Sequence, residues 1–222
     1  MAIATYKDLC LDANDPAAMG EFWAPTLGLT ATPLGDGDVR LDGPTPQHAV
    51  WVNRVPEPVT VKQRVHIDVH AAGPDEVLAR GAHPLDWGPL PWAVMQDPEG
   101  GELCVFTRES VPAYKLYELV VDAVDAPTIA AWWAGVLGAT VEHGADDSSF
   151  GDAPGMPFLM VFGTVPEPKT VKNRIHWDVD TDDVQALVEA GATVLRAPDE
   201  VISWTILADP EGNEFCAFTP RA

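Results

Sequence analysis

The chain has 222 residues, of which 34 are acidic and 13 are basic, so its formal net charge is −21. Nucleic acids and anionic membrane surfaces bind clustered Lys and Arg, and the sequence has no such cluster, so both kinds of partner are disfavoured. No apolar run approaches the ~18 residues of a membrane span. A content of 46% hydrophobic and 21% charged residues is typical of a folded globular protein.

The N-terminus and the cysteines indicate the cellular compartment. The opening segment MAIATYKDLCLD has no basic start followed by an apolar stretch, so no secretory signal is visible. Cys10, Cys104 and Cys216 are an odd number without CxxC spacing, which argues against a disulfide framework and against a zinc knuckle of thiolates. We expect a cytoplasmic protein that binds a small molecule and is either a monomer or a homodimer.

The first part of the chain predicts a strand, a helix and three further strands. Tyr6 to Ala13 alternates apolar and polar residues, as a half-buried strand does. Asp15 and Pro16 are a typical helix start, and Gly28 a typical end. Short apolar runs between Gly, Asp and Pro turns then predict three strands before Val55. This βαβββ order defines one module.

The next part repeats that order with other turns. RVHIDV predicts a strand and GPDEVLARGA a short helix, and three more strands follow around turns rich in Gly and Pro. The hairpin that begins at Asp97 has the sequence of an ordinary turn, with Pro in its second position and Gly in its fourth.

The second half of the chain is a copy of the first. VPEPVTVKQRVHIDV from Val55 returns as VPEPKTVKNRIHWDV from Val165, with 11 of 15 positions identical at an offset of 110. DPEGGELCVFT from Asp97 returns as DPEGNEFCAFT from Asp209, with 8 of 11 positions identical at an offset of 112. We therefore predict two tandem domains, 1–109 and 114–222, each with eight strands and two principal helices.

Four βαβββ modules of the α+β class, with the segments KNRIHWDV and DPEGNEFC, resemble the vicinal oxygen chelate superfamily and its glyoxalase-like branch. The resemblance implies that paired modules form two half-barrels, of the glyoxalase and bleomycin-resistance type, whose concave face holds a small ligand and often a divalent metal. Isomerases, lyases, dioxygenases, thiol transferases and drug-sequestering proteins share this fold, so function has to be argued from the site.

The resemblance also implies where metal ligands would lie. The first ligand position falls on Asp8 and Glu118, and the second on His66 and His176. At the third, where metal-binding members have glutamate, this chain has Cys104 and Cys216. Carboxylate, imidazole and thiolate can together bind zinc or another transition metal, but this is not the usual catalytic set. We expect at most weak metal binding, with Glu118 and His176 as the ligands.

Each of these residues also has a structural interpretation. The histidines lie in RxHxD segments, where flanking Arg and Asp would form an ion-pair network, and the cysteines would be small buried hydrophobes. Glu102 and Glu214 lie two residues before the cysteines, hence on the same strand face, and would replace them as ligands only if the register brings them to the base. We interpret Trp23, Trp133 and Trp177 as core residues, whereas Trp51 and Trp87 are candidates for a ligand-binding wall. Trp92 and Trp204 face either the core or the cavity.

Two classes of function remain open. The first is a lyase or isomerase that moves a proton on a carbonyl, enol or aromatic compound, and the second is a binding protein without chemistry. The candidate catalytic residues are Glu118, His176, Asp8 and His66. The candidate ligand-binding residues are Asp178, Cys216, Glu214, Trp204, Trp92 and Cys104. We place the ligand in the C-terminal half, against Glu118, His176, Asp178 and Cys216, because glutamate reaches further than aspartate.

Overall fold

A computed structural model describes residues 2–219 of the chain. The first half contains the strands β1 Thr5–Ala13, β2 Thr30–Pro33, β3 Val39–Asp42, β4 Val50–Arg54, β5 Val65–Ala71, β6 His83–Leu85, β7 Ala93–Gln96 and β8 Glu102–Thr107. Its helices are α1 Pro16–Leu27 and α2 Pro74–Leu78, with a 3-10 turn at Pro46–His48.

The second half repeats these elements in the same order. Its strands are β9 Leu116–Ala123, β10 Glu142–His143, β11 Asp147–Phe150, β12 Leu159–Thr164, β13 Ile175–Asp180, β14 Thr193–Arg196, β15 Thr205–Ala208 and β16 Glu214–Phe218. Its helices are α3 Ala126–Leu137 and α4 Val184–Glu189. The predicted α+β class, module order and eight strands per half are confirmed within residues 2–219.

The strands form two eight-stranded sheets, and each sheet combines modules from both halves of the sequence. Sheet A has the order β14-β15-β16-β13-β1-β4-β3-β2, and sheet B has the order β10-β11-β12-β9-β5-β8-β7-β6. The first module therefore pairs with the fourth, and the second with the third. The central pairs, β1 with β13 and β5 with β9, are antiparallel.

Matching caps begin and end the two long helices. Asp15 accepts a hydrogen bond from the Ala18 N–H and Asp125 from the Thr128 N–H, each at 3.2 Å. Gly28 ends α1 in the left-handed region, with φ of 73°. A Cβ at Gly28 would lie 1.9 Å from the Ala113 carbonyl oxygen, so both the backbone conformation and the close packing require glycine here.

One face of each sheet packs against α1 and α3 in a continuous hydrophobic core. Trp23, Trp133 and Trp177 are all at most 1% exposed, which confirms their predicted place in the core. The Trp133 and Trp177 rings meet edge to face, with centroids 4.8 Å apart. Because side chains alternate along a strand, the residues between these core positions lie on the opposite, concave face of each sheet.

The DPEG hairpins are turns, and their glutamates also hydrogen-bond to the backbone just before the long helices. Asp97 Oδ1 accepts hydrogen bonds from the N–H groups of Glu99 and Gly101, each at 2.9 Å, as the turn interpretation predicts. The Glu99 carboxylate accepts from the N–H groups of Asn14 and Asp15, immediately before α1. Across residues 2–219, the structure has no helix that is both long and apolar enough to cross a lipid bilayer.

Candidate functional site

A cavity of about 1420 Å³ lies over the concave face of sheet B. Its floor comes from the four central strands of that sheet, whose cavity-lining side chains include His66, Asp68, Cys104, Glu118, Val120 and Val161. The rings of Trp87, Trp92 and Phe106 also line it, and Trp92 stacks on Phe106 with centroids 5.2 Å apart. This combination of apolar surface with a few convergent polar groups is typical of a small-molecule site.

Two equivalent loops, 55–64 and 165–174, contribute further lining residues and hold each other in place. Arg64 Nη1 donates to the Glu167 carbonyl oxygen, and Arg174 Nη1 donates to the Glu57 carbonyl oxygen. Lys62 pairs with the carboxylate of Asp122 across the same region. The Pro-rich loops are thus both cross-linked connectors and part of the cavity boundary.

The most unusual feature of the floor is a pair of facing carboxyl groups. Asp68 on β5 and Glu118 on β9 are direct cross-strand partners in the antiparallel register. Asp68 is 4% exposed, whereas Glu118 is half-buried and lines the cavity. Burial and the nearby Asp68 charge raise the pKa of Glu118 to about 7. Near neutral pH the carboxyl group of Glu118 is therefore only partly ionised.

His66 and Cys104 complete the polar part of the floor. His66 Nε2 lies 3.3 Å from Asp68 Oδ1, as the RxHxD spacing on one strand face predicts. Cys104 is the parallel cross-strand neighbour of Asp68. Burial, followed by the Asp68 charge, raises the pKa of Cys104 well above its usual range, so its thiol is neutral.

Sheet A carries the equivalent residues, and there Trp51 contacts one of them. Asp8 and Asp178 are cross-strand partners, as Glu118 and Asp68 are in sheet B. The Asp8 carboxylate accepts hydrogen bonds from Trp51 Nε1 at 3.0 Å and from Lys7 Nζ at 2.6 Å. Val161 occupies the position in sheet B that is equivalent to Trp51, at the repeat offset of 110. The smaller side chain leaves the Glu118 side of the duplicate open.

The structure separates the ligand set that the sequence analysis assembled in the C-terminal half. Glu118 lies in sheet B beside Asp68, whereas His176, Asp178 and Cys216 lie in sheet A beside Asp8. The expectation that Glu118 and His176 bind one metal or one ligand is wrong. The physical reason is that strands β9 and β13 pair with β5 and β1 of the first half, not with each other.

Other predicted residues have defined positions. Trp92 lines the cavity, whereas Trp204 stacks on Phe218 in sheet A at 5.3 Å. Glu214 does not face the cavity floor: its carboxylate accepts from Lys169 Nζ at 2.7 Å and from the Asn173 N–H at 3.1 Å, which holds loop 165–174. Glu102 lines the cavity and also holds loop 55–64, since it accepts from the Gln63 N–H at 3.0 Å.

Sequence reasoning missed two features of the site. It treated Asp68 only as a partner of His66, although the offset of 110 from Asp178 marks it as the equivalent candidate. It also gave no role to Phe106 or Val161. No signal in a single strand shows that Val161 leaves space, because that depends on the comparison with its Trp51 counterpart in the other sheet.

The two sheets contain different sets of side-chain atoms that could bind a metal ion. In sheet B, ligand atoms of His66, Asp68 and Cys104 lie within 4.8 Å of one another, but Val120 and Val161 occupy the adjoining positions. Glu118, the cross-strand partner of Asp68, has a pKa raised to about 7, so we treat these residues as proton-transfer groups. In sheet A the triad Cys10, His176 and Asp178 lies equally close together, with Cys216 beside it. That donor set fits a thiolate-binding metal, which when bound would act as a Lewis acid or a structural link.

Comparisons with known proteins agree with this architecture. A family model described as a glyoxalase-like domain matches residues 8–106 and 118–218. Glyoxalase I from Zea mays has a TM-score of 0.66 at 15% identity, covering 96% of this chain and 92% of that one. The cppA protein from Streptococcus pneumoniae TIGR4 has a TM-score of 0.53 at 12% identity, covering 98% of this chain and 100% of that one.

At such identities these two likenesses show the fold alone. A comparison with curated protein sequences gives no match. The family model, however, covers both repeats almost from end to end. The chain therefore belongs to the glyoxalase-like domain family of the vicinal oxygen chelate superfamily, with two tandem copies of the domain.

Proposed function

We propose that the protein binds an apolar carbonyl or enol compound in the sheet B cavity and moves a proton on it, as an isomerase or a lyase does. The observation that carries this proposal is the Asp68–Glu118 pair, two cross-strand carboxyl groups that line the cavity, with the pKa of Glu118 raised to about 7. A pair of this kind provides a base and an acid at the same time.

The chemistry follows from the raised pKa of Glu118, which keeps a proton available beside a second carboxyl group. Asp68 takes the proton from the carbon next to the carbonyl, while protonated Glu118 gives its own proton to the carbonyl oxygen. The product of this step is a neutral enol, with the electron pair of the broken C–H bond in the new C=C bond. His66, 3.3 Å from Asp68 Oδ1, orients the base. A pKa near 7 suits this role because a group near the ambient pH can donate and accept with little loss.

The lining favours a neutral and flat ligand. Lys62 and Lys172, two of its cationic side chains, are paired with Asp122 and Asp12 respectively. With the lining cations paired and acids on the floor, an anionic ligand would meet repulsion. The stacked Trp92 and Phe106 rings offer a flat apolar surface against which an aromatic or conjugated group can pack.

Solvent deuterium exchange tests the proposal directly. Wild-type protein is incubated in D₂O with a panel of apolar ketones and enones, and deuterium incorporation next to the carbonyl is followed by mass spectrometry. We expect exchange with at least one compound, and a loss of about 100-fold in Glu118→Gln, since general acid–base groups contribute ~10²–10⁴-fold. Asp8→Asn, at the equivalent position of sheet A, should keep the wild-type rate. Equal exchange in wild type and Glu118→Gln would contradict the proposal.

A second candidate is a binding protein without chemistry, and the size of the cavity favours it. One experiment distinguishes the enzyme from the binding protein. If compounds from the panel displace the neutral dye Nile red from wild type and from Glu118→Gln with equal affinity, and no compound exchanges deuterium, the cavity sequesters its ligand.

We also place the protein in the cytoplasm, because Cys10, Cys104 and Cys216 are free, buried thiols. Cell fractionation with an antibody tests this. Recovery of the protein in an extracellular or periplasmic fraction would refute it.

A further inference from the structure

The mouth of the sheet B cavity carries exposed apolar side chains. Within residues 2–219, eight large hydrophobic side chains are exposed, and four of these eight line this cavity. They are Val61, Trp87, Leu90 and Val171, each 41–53% exposed, and we call them the rim. Apolar surface that stays in water costs free energy, and a patch of this kind marks a binding surface.

The rim is built from three segments of the chain. Val61 and Val171 are equivalent residues of the two cavity loops, at the repeat offset of 110. Trp87 and Leu90 belong to the connection 86–92, between β6 and β7. The Lys62 ammonium lies 6.0 Å from the centroid of the Trp87 ring, so loop 55–64 meets this connection at the mouth.

The duplicate in sheet A differs at the equivalent positions. There Asp199 Oδ1 accepts a hydrogen bond from the Ile202 N–H at 3.0 Å, and Ile202, equivalent to Leu90 at the offset of 112, is buried. Val59 lines the cavity, whereas its equivalent Lys169 forms an ion pair. The apolar rim therefore belongs to the sheet B cavity and is not a general consequence of the repeat.

The cavity is also larger than a small carbonyl compound requires. Its volume of about 1420 Å³ exceeds the ~300–1,000 Å³ that is usual for the sites of drug-sized ligands. The floor carboxyl groups of Asp68 and Glu118 line the same cavity as the four rim residues. A molecule whose carbonyl group reaches the floor therefore has room, and apolar lining, for a further part that extends to the rim.

We propose that the ligand has two parts, a flat carbonyl-bearing head that lies on the floor and a long apolar chain that lies along the rim. The position of the head rests on the proposed function, and the chain is the feature that this inference adds. The rim surrounds an opening that leads to the floor, so one extended molecule covers both. An anionic lipid surface is disfavoured as the occupant by the formal charge of −21.

A homologous series of phenyl alkyl ketones tests the proposal by displacement of Nile red. The series runs from acetophenone to octanophenone, so the head stays constant and only the chain grows. We expect the affinity to rise about 3–4-fold for each added methylene, which corresponds to ~0.8 kcal/mol per buried CH₂ group. The dissociation constant of Nile red is measured first for every variant, so that a change in dye affinity is not mistaken for a change in ketone affinity.

A double variant, Val61→Ser with Val171→Ser, removes apolar surface from the rim alone. It should weaken octanophenone binding about 10-fold and leave acetophenone binding within about 2-fold. The matched control is Val124→Ser with Val201→Ser, two exposed valines that do not line the cavity, and it should change neither affinity. Circular dichroism checks that each variant is folded, and Leu90→Ser is a second rim variant if the double variant is not.

Three results would overturn the proposal. These are equal affinity for acetophenone and octanophenone, a chain-length dependence that the rim variants leave unchanged, and an equal loss of affinity for both ketones in the rim variants. The displacement series is independent of the deuterium exchange assay. A chain-length dependence that the rim variants reduce, without exchange in any compound, would support the two-part ligand and contradict the proposed proton transfer. Exchange without a chain-length dependence would do the opposite.

Discussion

Trp51 donates its indole N–H to the carboxylate of Asp8 at 3.0 Å, and this contact distinguishes the two sheets of the molecule. The Arg40 guanidinium lies over the same indole ring, 5.1 Å from its centroid. At the equivalent positions of sheet B, Val161 and Ser149 replace the Trp51–Arg40 pair. One duplicate therefore carries a Trp–Arg pair on its concave face, while a cavity lies over the other.

Trp51→Val should open sheet A and destabilise the protein. Removing a large, partly buried aromatic side chain leaves a void and frees the Asp8 carboxylate, so we expect a loss of about 2–3 kcal/mol in the free energy of unfolding. Urea denaturation measures this loss. The same variant should bind a second equivalent of Nile red, because the new cavity is lined like that of sheet B.

The reciprocal substitution is the control. Val161→Trp should remove Nile red binding by filling the cavity, with a change in unfolding free energy of less than ~1 kcal/mol. If Val161→Trp still bound the dye with wild-type affinity, the cavity over sheet B would not be the binding site.

Glu118→Gln should change how stability depends on pH. The pKa of Glu118 is about 7 in the folded protein against an ordinary value of 4.5, so the folded state holds this proton more tightly than the unfolded state. The contribution of Glu118 to the free energy of unfolding is therefore fully present below about pH 4.5 and is lost as the pH rises through 7. The variant, which cannot ionise, should exceed wild type by about 1–2 kcal/mol above pH 7, allowing for partial solvent screening.

Urea denaturation of both proteins between pH 4.5 and 8 checks this window, which follows from the two pKa values. The difference in unfolding free energy between variant and wild type at each pH removes the contributions of distant buried acids. A constant difference across the range would show that Glu118 has an ordinary pKa.

The elements of the fold could be predicted from the sequence because they depend on local signals. The alternation of residues 6–13 predicted the strand β1, although the structure buries both of its faces rather than one. The Asp15 cap and Gly28 set the bounds of α1. The pairing of modules could not be predicted, because β5 and β13 carry almost the same residues and either could lie beside β1. Only the packed chain shows that Asp8 faces Asp178 and that Glu118 faces Asp68. The error in the predicted site, which joined Glu118 with His176, follows from that ambiguity.

Cys104 should not react with iodoacetamide in the native protein at mildly alkaline pH, although it lines the cavity. Burial and the Asp68 carboxylate keep its pKa well above that of a free thiol, and only the thiolate is nucleophilic. Mass spectrometry should show no modification of this residue in native protein and full modification after unfolding in urea. Rapid native labelling of Cys104 would identify it as a nucleophile and would require a different mechanism.

Two arginines join the two cavity loops. Arg174 donates to the Glu57 carbonyl oxygen and pairs with the Glu99 carboxylate at 2.9 Å, whereas Arg64 donates to the Glu167 carbonyl oxygen and lies 3.9 Å from the Glu211 carboxylate. Both side chains are 12% exposed, so the shorter ion pair of Arg174 decides the difference. Methionine keeps the apolar stem of arginine but not its charge.

We expect Arg174→Met to lower the free energy of unfolding by about 1–2 kcal/mol, and Arg64→Met by less than about 1 kcal/mol, because charge-assisted hydrogen bonds weaken with distance. Hydrogen exchange should also become faster in loop 55–64 of Arg174→Met, since the Glu57 carbonyl oxygen loses one of its two donors and keeps only Asn14 Nδ2. Urea denaturation and exchange mass spectrometry provide the two measurements. A larger effect of Arg64→Met would show that the loop-to-loop hydrogen bonds, rather than the ion pairs to the hairpin glutamates, hold the cavity boundary.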